Sequence, residues 1–312
     1  MTRVAAVDCG TNSIRLLVAD LNPVAGTLHD VHRRMEIVRL GQDVDRTGRF
    51  APQAIARTLA ACRTYADIVR DARAERLRFV ATSASRDVSN REEFVEGVRE
   101  ALGVEPEVVT GDEEAALSFA GAVRELAGEV AAPVLVVDIG GGSTELVLGD
   151  RSVRAARSVD VGCVRLTERH LHADPPSDRE VAAARADIDA ALSSAAQTVP
   201  LADAKTLVGL AGSVTTVAAM ALDLPRYQPE RIHHARIPVA AVHEVAHRLL
   251  TMTHDERAAL PFMHPGRVDV IGGGALVLAS VLDRVPVEEV VVSEHDILDG
   301  IAWSLVESHL SG

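Results

Sequence analysis

Apolar residues in this chain gather in short runs that stop at a charged or small residue, and two of those runs are close copies. Residues 4–20 read VAAVDCGTNSIRLLVAD and residues 134–150 read VLVVDIGGGSTELVLGD. Without a gap, Val4, Val7, Asp8, Gly10, Ser13, Leu16 and Asp20 fall on Val134, Val137, Asp138, Gly140, Ser143, Leu146 and Asp150. Each copy is an apolar run ending in Asp, a turn of small polar residues, and a second apolar run. That order predicts a β-hairpin with a carboxylate at the mouth of its turn. Copies so far apart do not suit a solenoid and predict two similar domains.

The remaining pattern alternates strands with helices. Residues 77–82 predict a strand followed by Ser83, Ser85 and Arg86, and residues 207–210 one followed by Gly212, Ser213 and a Thr-rich helix start. Residues 108–110 lead into a helix at Glu113, and residues 290–292 into one at Glu294. Ser89 with Glu92, Thr110 with Glu113 and Ser177 with Glu180 fit the Ser/Thr-x-x-Glu capping box. Alternation of this kind predicts an α/β fold with partly parallel sheets and a ligand cleft between the two halves. The weakly structured stretch 128–133 places the boundary, giving domains 1–128 and 129–312, with the last helix free to return to the first domain.

Composition narrows the chemistry. The 312 residues are 47% hydrophobic and 25% charged, which excludes disordered and low-complexity classes. A net charge of −13 disfavours non-specific nucleic-acid binding. Lys205 is the sole lysine, so a phosphate site here needs Arg forks, backbone N–H groups or a cation. Cys9, Cys62 and Cys163 follow no metal or redox spacing and read as reduced thiols of a cytoplasmic protein. The start of the chain runs into a strand without a signal region, and no uncharged stretch is long enough for a bilayer, so no membrane partner is expected. In the turns, glycines admit a phosphoryl group close to backbone N–H donors, and the paired Asp8 and Asp138 suit a metal–phosphate site.

In ordered combination, DCGTNSIRLLVAD (8–20), ATSASRD (81–87), TGDEEA (110–115), VVDIGGGSTELVLG (136–149) and LAGSVTT (210–216) resemble the exopolyphosphatase and guanosine pentaphosphate phosphatase family, Ppx/GppA. Segments 270–282 and 293–303 resemble it too. The resemblance implies two similar α/β domains of the actin, Hsp70 and sugar-kinase (ribonuclease H-like) type, in a short form without the helical C-terminal region of longer members. It implies release of terminal phosphate from polyphosphate, or of the 5′ phosphate from guanosine pentaphosphate, with Mg²⁺ or Mn²⁺; a non-catalytic sensor of either ligand, an ATP-dependent enzyme of the wider fold, and a homodimer stay open. Carried over residue by residue, the catalytic role falls on Glu114, phosphate binding on Gly10, Thr11, Asn12, Ser13, Arg86, Gly140, Gly141, Gly142 and Ser143, and metal binding on Asp8, Asp138 and Glu145. Glu113 is accounted for by the capping box, whereas Glu114 reads either as a base for water or as a first-turn acid favoured by the helix dipole.

Other signals compete. His243, Glu244 and His247 form a literal H-E-x-x-H, yet Val242, Val245, Ala246 and Leu249 make the segment an ordinary amphipathic helix. His233, His234 and His264 read as loop charges or as rim contacts for a polyanion, and Arg165 and Arg169 lie in a further family-like segment, 161–168 and its neighbour. Cys163 there reads as a small buried hydrophobe. Gly272, Gly273 and Gly274 read equally as a close-packed helix start or as an approach to a nucleoside.

Overall fold

A computed structural model describes residues 1–86, 88–126 and 128–307. Asp87, which ends the ATSASRD segment, and the chain end from 308 lie outside the described residues. The chain divides into two units, Met1–Gly121 with Ile297–Gly312, and Ala122–Asp296.

The first unit runs β1 (Thr2–Cys9), β2 (Ser13–Asn22), β3 (Thr27–Ile37), α1 (Val44–Thr47), α2 (Pro52–Asp71), β4 (Arg76–Ala81), α3 (Ser83–Arg86), α4 (Arg91–Leu102), β5 (Glu107–Val108) and the start of α5 (Gly111–Leu126). The second runs β6 (Val134–Ile139), β7 (Thr144–Gly149), β8 (Val153–Val159), α6 (Cys163–His170), α7 (Asp178–Ala195), β9 (Thr206–Leu210), α8 (Ala211–Ala221), α9 (Pro229–Ile232), β10 (Arg236–Pro238), α10 (Val239–Thr251), α11 (His254–Ala258), α12 (Ile271–Leu282) and β11 (Glu289–Val292). The last helix, α13 (Ile297–Glu307), belongs to the first unit.

Both sheets follow one plan. Their orders are β3-β2-β1-β4-β5 and β8-β7-β6-β9-β11-β10. In each, the repeated hairpin is antiparallel and its first strand then pairs in parallel with β4 or β9. Two similar α/β units, each built on a mixed sheet of the same plan, are therefore the observed architecture, as the internal repeat implies. No helix among the described residues is long and apolar enough to cross a membrane.

Central strands are buried on both faces, which is why they read as continuous apolar runs. Along β1 the pleat sends Ala5, Val7 and Cys9 into one cluster and Val4 and Ala6 into another, where Ile297, Leu298, Ile301, Ala302, Trp303 and Val306 of α13 cover them. Along β6 the same pleat sends Leu135, Val137 and Ile139 into the core of the second unit. Asp8 thus shares the face of Val4 and Ala6, and Asp138 lies on the opposite face from Leu135, Val137 and Ile139.

Local expectations met three outcomes. Ser177 and Glu180 form the full capping box of α7. Thr110 Oγ1 accepts the Glu113 N–H at 3.2 Å, but the Glu113 carboxylate turns away to Arg78 at 2.8 Å. Ser89 does not cap α4: its hydroxyl donates to the Gly48 carbonyl, and Asn90 is the N-cap residue. The helix expected at Glu294 starts at Ile297, because Ser293 Oγ accepts the His295 N–H at 3.0 Å and holds a turn there. Strands β3 and β8 were not predicted; they are sheet edges whose exposed charged residues hide the apolar alternation.

Candidate active site

The two hairpin turns close with the same hydrogen bond. Gly10 N–H donates to Ser13 O at 2.9 Å, and Gly140 N–H donates to Ser143 O at 3.0 Å. Their carbonyls are then drawn to one side. Thr11 O accepts from Gly41 N–H, and Asn12 O from Val38 and Arg39 N–H. Gly140 O accepts from Cys163 N–H, and Gly141 O from Val164 and Arg165 N–H at the start of α6. A trans peptide plane points its N–H opposite its C=O. The amides of Asn12 and Ser13, and those of Gly141 and Gly142, therefore point away from the segments that hold these carbonyls. Amides turned away from those segments are available to an anion. Gly162 is required for it, since a Cβ there would overlap the Gly141 carbonyl. Thr11 and Ser143 are buried beside the turns, Thr11 Oγ1 lying 3.0 Å from Ser83 Oγ.

Ladder register explains the carboxylates. Asp8 stands opposite Arg15, and Arg15 opposite Met35. In the second unit the same positions carry Asp138, Glu145 and Ser158. Arg15 sends Nε and Nη2 to Asp8 Oδ2 at 3.0 and 2.7 Å, so Asp8 has a cationic partner of its own. Asp138 stands opposite a second carboxylate on its ladder, and the two are 6% and 1% exposed. Like charges directly opposite on a ladder destabilise it. Two neighbouring buried sets of hard oxygen donors are the kind that suits a small divalent cation. Ser158 Oγ donates to Glu145 Oε1 at 2.7 Å. Of the three expected metal ligands, Asp138 and Glu145 stand side by side on one ladder, and Asp8 is bonded to Arg15 through Oδ2.

The remaining pair joins the end of α3 to the start of α5. Arg86 Nη1 donates to Glu114 Oε2 at 2.7 Å and to Val109 O at 3.0 Å. The residue expected to bind phosphate and the residue expected to activate water therefore touch. Glu114 is 7% exposed, whereas Glu113 lies on the surface with Arg78. The helix turn separates the two neighbours by about 100°, so one faces a buried polar spot and the other solvent.

Arg15 and Ser158 were missed by sequence reasoning. Arg15 had a signal, a lone charge between Ile14 and Leu16 at the repeat position of Glu145. Ser158 had none, because its strand was not recognised.

Other candidates sort by their contacts. His243 pairs with Asp283 at 3.2 Å on an amphipathic helix whose Val242, Val245, Ala246 and Leu249 are buried. Arg169 and His170 both reach Asp187, at 3.1 and 3.0 Å. Gly274 is a close-approach position, a Cβ there falling against Ser213 and Cys163. Burial pushes the Cys163 thiol up, which removes thiolate character. His264 Nδ1 accepts the Gly266 N–H at 3.1 Å. Glu125, His233 and His295 converge, with Glu125 Oε2 at 3.2 Å from His233 Nε2 and 3.1 Å from His295 Nδ1. The Glu294 N–H donates to His233 Nδ1 at 3.1 Å, which leaves the proton on Nε2 to donate to Glu125. This tautomer suits a hydrogen-bonded tie and opposes metal ligation through Nε2.

Comparison with known proteins places these features in a family. The model of the Ppx/GppA phosphatase family matches residues 17–309. Exopolyphosphatase 2 of Mycobacterium tuberculosis is 55% identical over 98% of this chain and 99% of its own length. A crystal structure described as an exopolyphosphatase-like protein is 42% identical with a TM-score of 0.94, covering 99% of this chain and 100% of that one. The Ppx/GppA family member of Aquifex aeolicus is 30% identical with a TM-score of 0.81, covering 99% of this chain and 98% of that one.

Proposed function

Because the chain belongs to the Ppx/GppA phosphatase family, we propose that it is a metal-dependent exopolyphosphatase, releasing terminal orthophosphate from linear polyphosphate by attack of water. The observation that carries this reading is the 2.7 Å contact between Arg86 and Glu114, a phosphate-type cation touching a buried carboxylate.

Phosphoryl transfer asks for positioning and charge neutralisation more than for covalent help. In this reading the Gly-Ser turn of each unit offers amides of the kind that suits phosphoryl oxygens. Arg86, braced on the Val109 carbonyl, adds a charge-assisted donor. Glu114 orients the water and takes its proton as the new P–O bond forms. Water adds to the terminal phosphorus, the P–O bond to the next phosphate breaks, and the shortened chain leaves with the bridging oxygen. Asp138 and Glu145 would hold the divalent cation, Mg²⁺ or Mn²⁺, whose charge offsets that of the phosphoryl oxygens when bound.

The test is orthophosphate release from polyphosphate of defined length, beside guanosine pentaphosphate and ATP at matched concentration. Expected are turnover of polyphosphate, its loss in excess chelator, and its return with Mg²⁺ or Mn²⁺. Faster turnover of guanosine pentaphosphate would move the assignment to a 5′-phosphohydrolase. Full activity in chelator would remove the metal from the reading.

A further inference from the structure

The duplicated hairpins differ where their rows end. In the first unit the row is Asp8, Arg15, Met35; in the second it is Asp138, Glu145, Ser158. Where the first unit meets its carboxylate with an arginine, the third strand supplies a thioether that donates nothing. Where the second unit sets two carboxylates side by side, the third strand supplies a hydroxyl, and that hydroxyl donates to Glu145 Oε1 at 2.7 Å. A hydroxyl bond to a carboxylate of this length is a charge-assisted one.

From this difference we infer that Ser158 is a positioning residue for the metal site, a role that rests on the reading of Asp138 and Glu145 as its carboxylates. Glu145 is reached through three rotatable bonds, and its terminal torsion is soft. The Ser158 bond ties one oxygen and with it the plane of the carboxylate. A small divalent cation tolerates little departure from its preferred geometry, so a carboxylate that has lost one of its orienting bonds binds it less well. Partners that orient a ligand in this way are worth roughly 10–100-fold in metal affinity. Ser158 sits on edge strand β8, half-buried, so removing its hydroxyl leaves the core of the unit intact.

The experiment is a Mn²⁺ titration of the full chain followed by the electron paramagnetic resonance of free Mn²⁺, with thermal melts of the metal-free proteins. Ser158→Ala is expected to weaken Mn²⁺ binding by roughly 10–100-fold. Ser158→Thr, which keeps the hydroxyl, returns it to within a few-fold, and the metal-free Tm of both stays near that of the wild type. If Glu145→Gln loses Mn²⁺ while Ser158→Ala binds it as the wild type does, the role of Ser158 is overturned and the metal reading stands. If Ser158→Ala lowers the metal-free Tm and Ser158→Thr fails to restore affinity, the hydroxyl is structural and the inference also falls. If the wild type binds no Mn²⁺, or Asp138→Asn and Glu145→Gln bind it unchanged, the metal reading falls and takes the inference with it.

Discussion

At the scale of single residues, Glu113 and Glu114 are the same side chain in two settings. Glu113 makes an exposed pair with Arg78, and such pairs contribute about 0–1 kcal/mol. Glu114 is buried against Arg86. Glu114→Gln keeps size and helix propensity but removes the base, so kcat is expected to fall by roughly 10²–10⁴-fold with substrate binding retained. Glu113→Gln is expected to leave kcat within about two-fold of wild type, since an exposed pair is worth so little. Steady-state phosphate release and melts of both variants decide it. A near-normal Glu114→Gln, or a crippled Glu113→Gln, would remove Glu114 from the catalytic role.

At the scale of elements, the caps and one helix staple carry distinct predictions. Ser177→Ala is expected to cost about 1 kcal/mol, whereas Ser89→Ala, which caps nothing, costs less. The Glu180 carboxyl is held down at about 2, first by the Ser177 N–H and then by its hydroxyl. Because the folded value lies below the ordinary one of 4.5, this contribution is full above that pH and is lost as pH falls toward about 2. The gap in Tm between wild type and Ser177→Ala should therefore shrink in acid; a gap that widened would reverse the sign. Helix α13 is fastened by Arg33, whose Nη2 donates to the buried Asp299 at 2.5 Å. Arg33→Ala is expected to cost about 2–3 kcal/mol, below the figure for a wholly buried pair, because Arg33 is about one-third exposed. A urea midpoint within error of wild type would show that α13 is held by its apolar face alone.

At the scale of the molecule, continuity of the chain separates the two units. Ala122–Asp296 is one uninterrupted stretch with its own core. Met1–Gly121 needs the returning α13, whose Ile301 and Trp303 cover Val4, Ala6 and Leu17. Each large apolar side chain buried there contributes about 1.5–3 kcal/mol. A fragment spanning 122–296 is expected to fold and melt cooperatively, and a chain cut after Asp296 to lose the first unit's transition. Circular dichroism and calorimetry follow both, and a chain cut there that melts as the intact protein does would show that α13 is dispensable.

How much of this was written in the order of residues depends on range. Local patterns determined the repeated hairpins, the parallel strands at residues 77–82 and 207–210, the box at Ser177 and the small-residue turns, because each is encoded by neighbours a few positions apart. Ordered motifs likewise pointed to Glu114, Arg86, Asp138 and Glu145. Tertiary structure alone decided that Arg15 meets Asp8, that Ser158 holds Glu145, that Glu113 leaves its capping box for Arg78, and that Ser89 serves Gly48. It also decided that the last helix returns to the first unit. Those outcomes depend on ladder register and on contacts between distant segments, and edge strands such as β3 and β8 leave little apolar pattern from which register could be read.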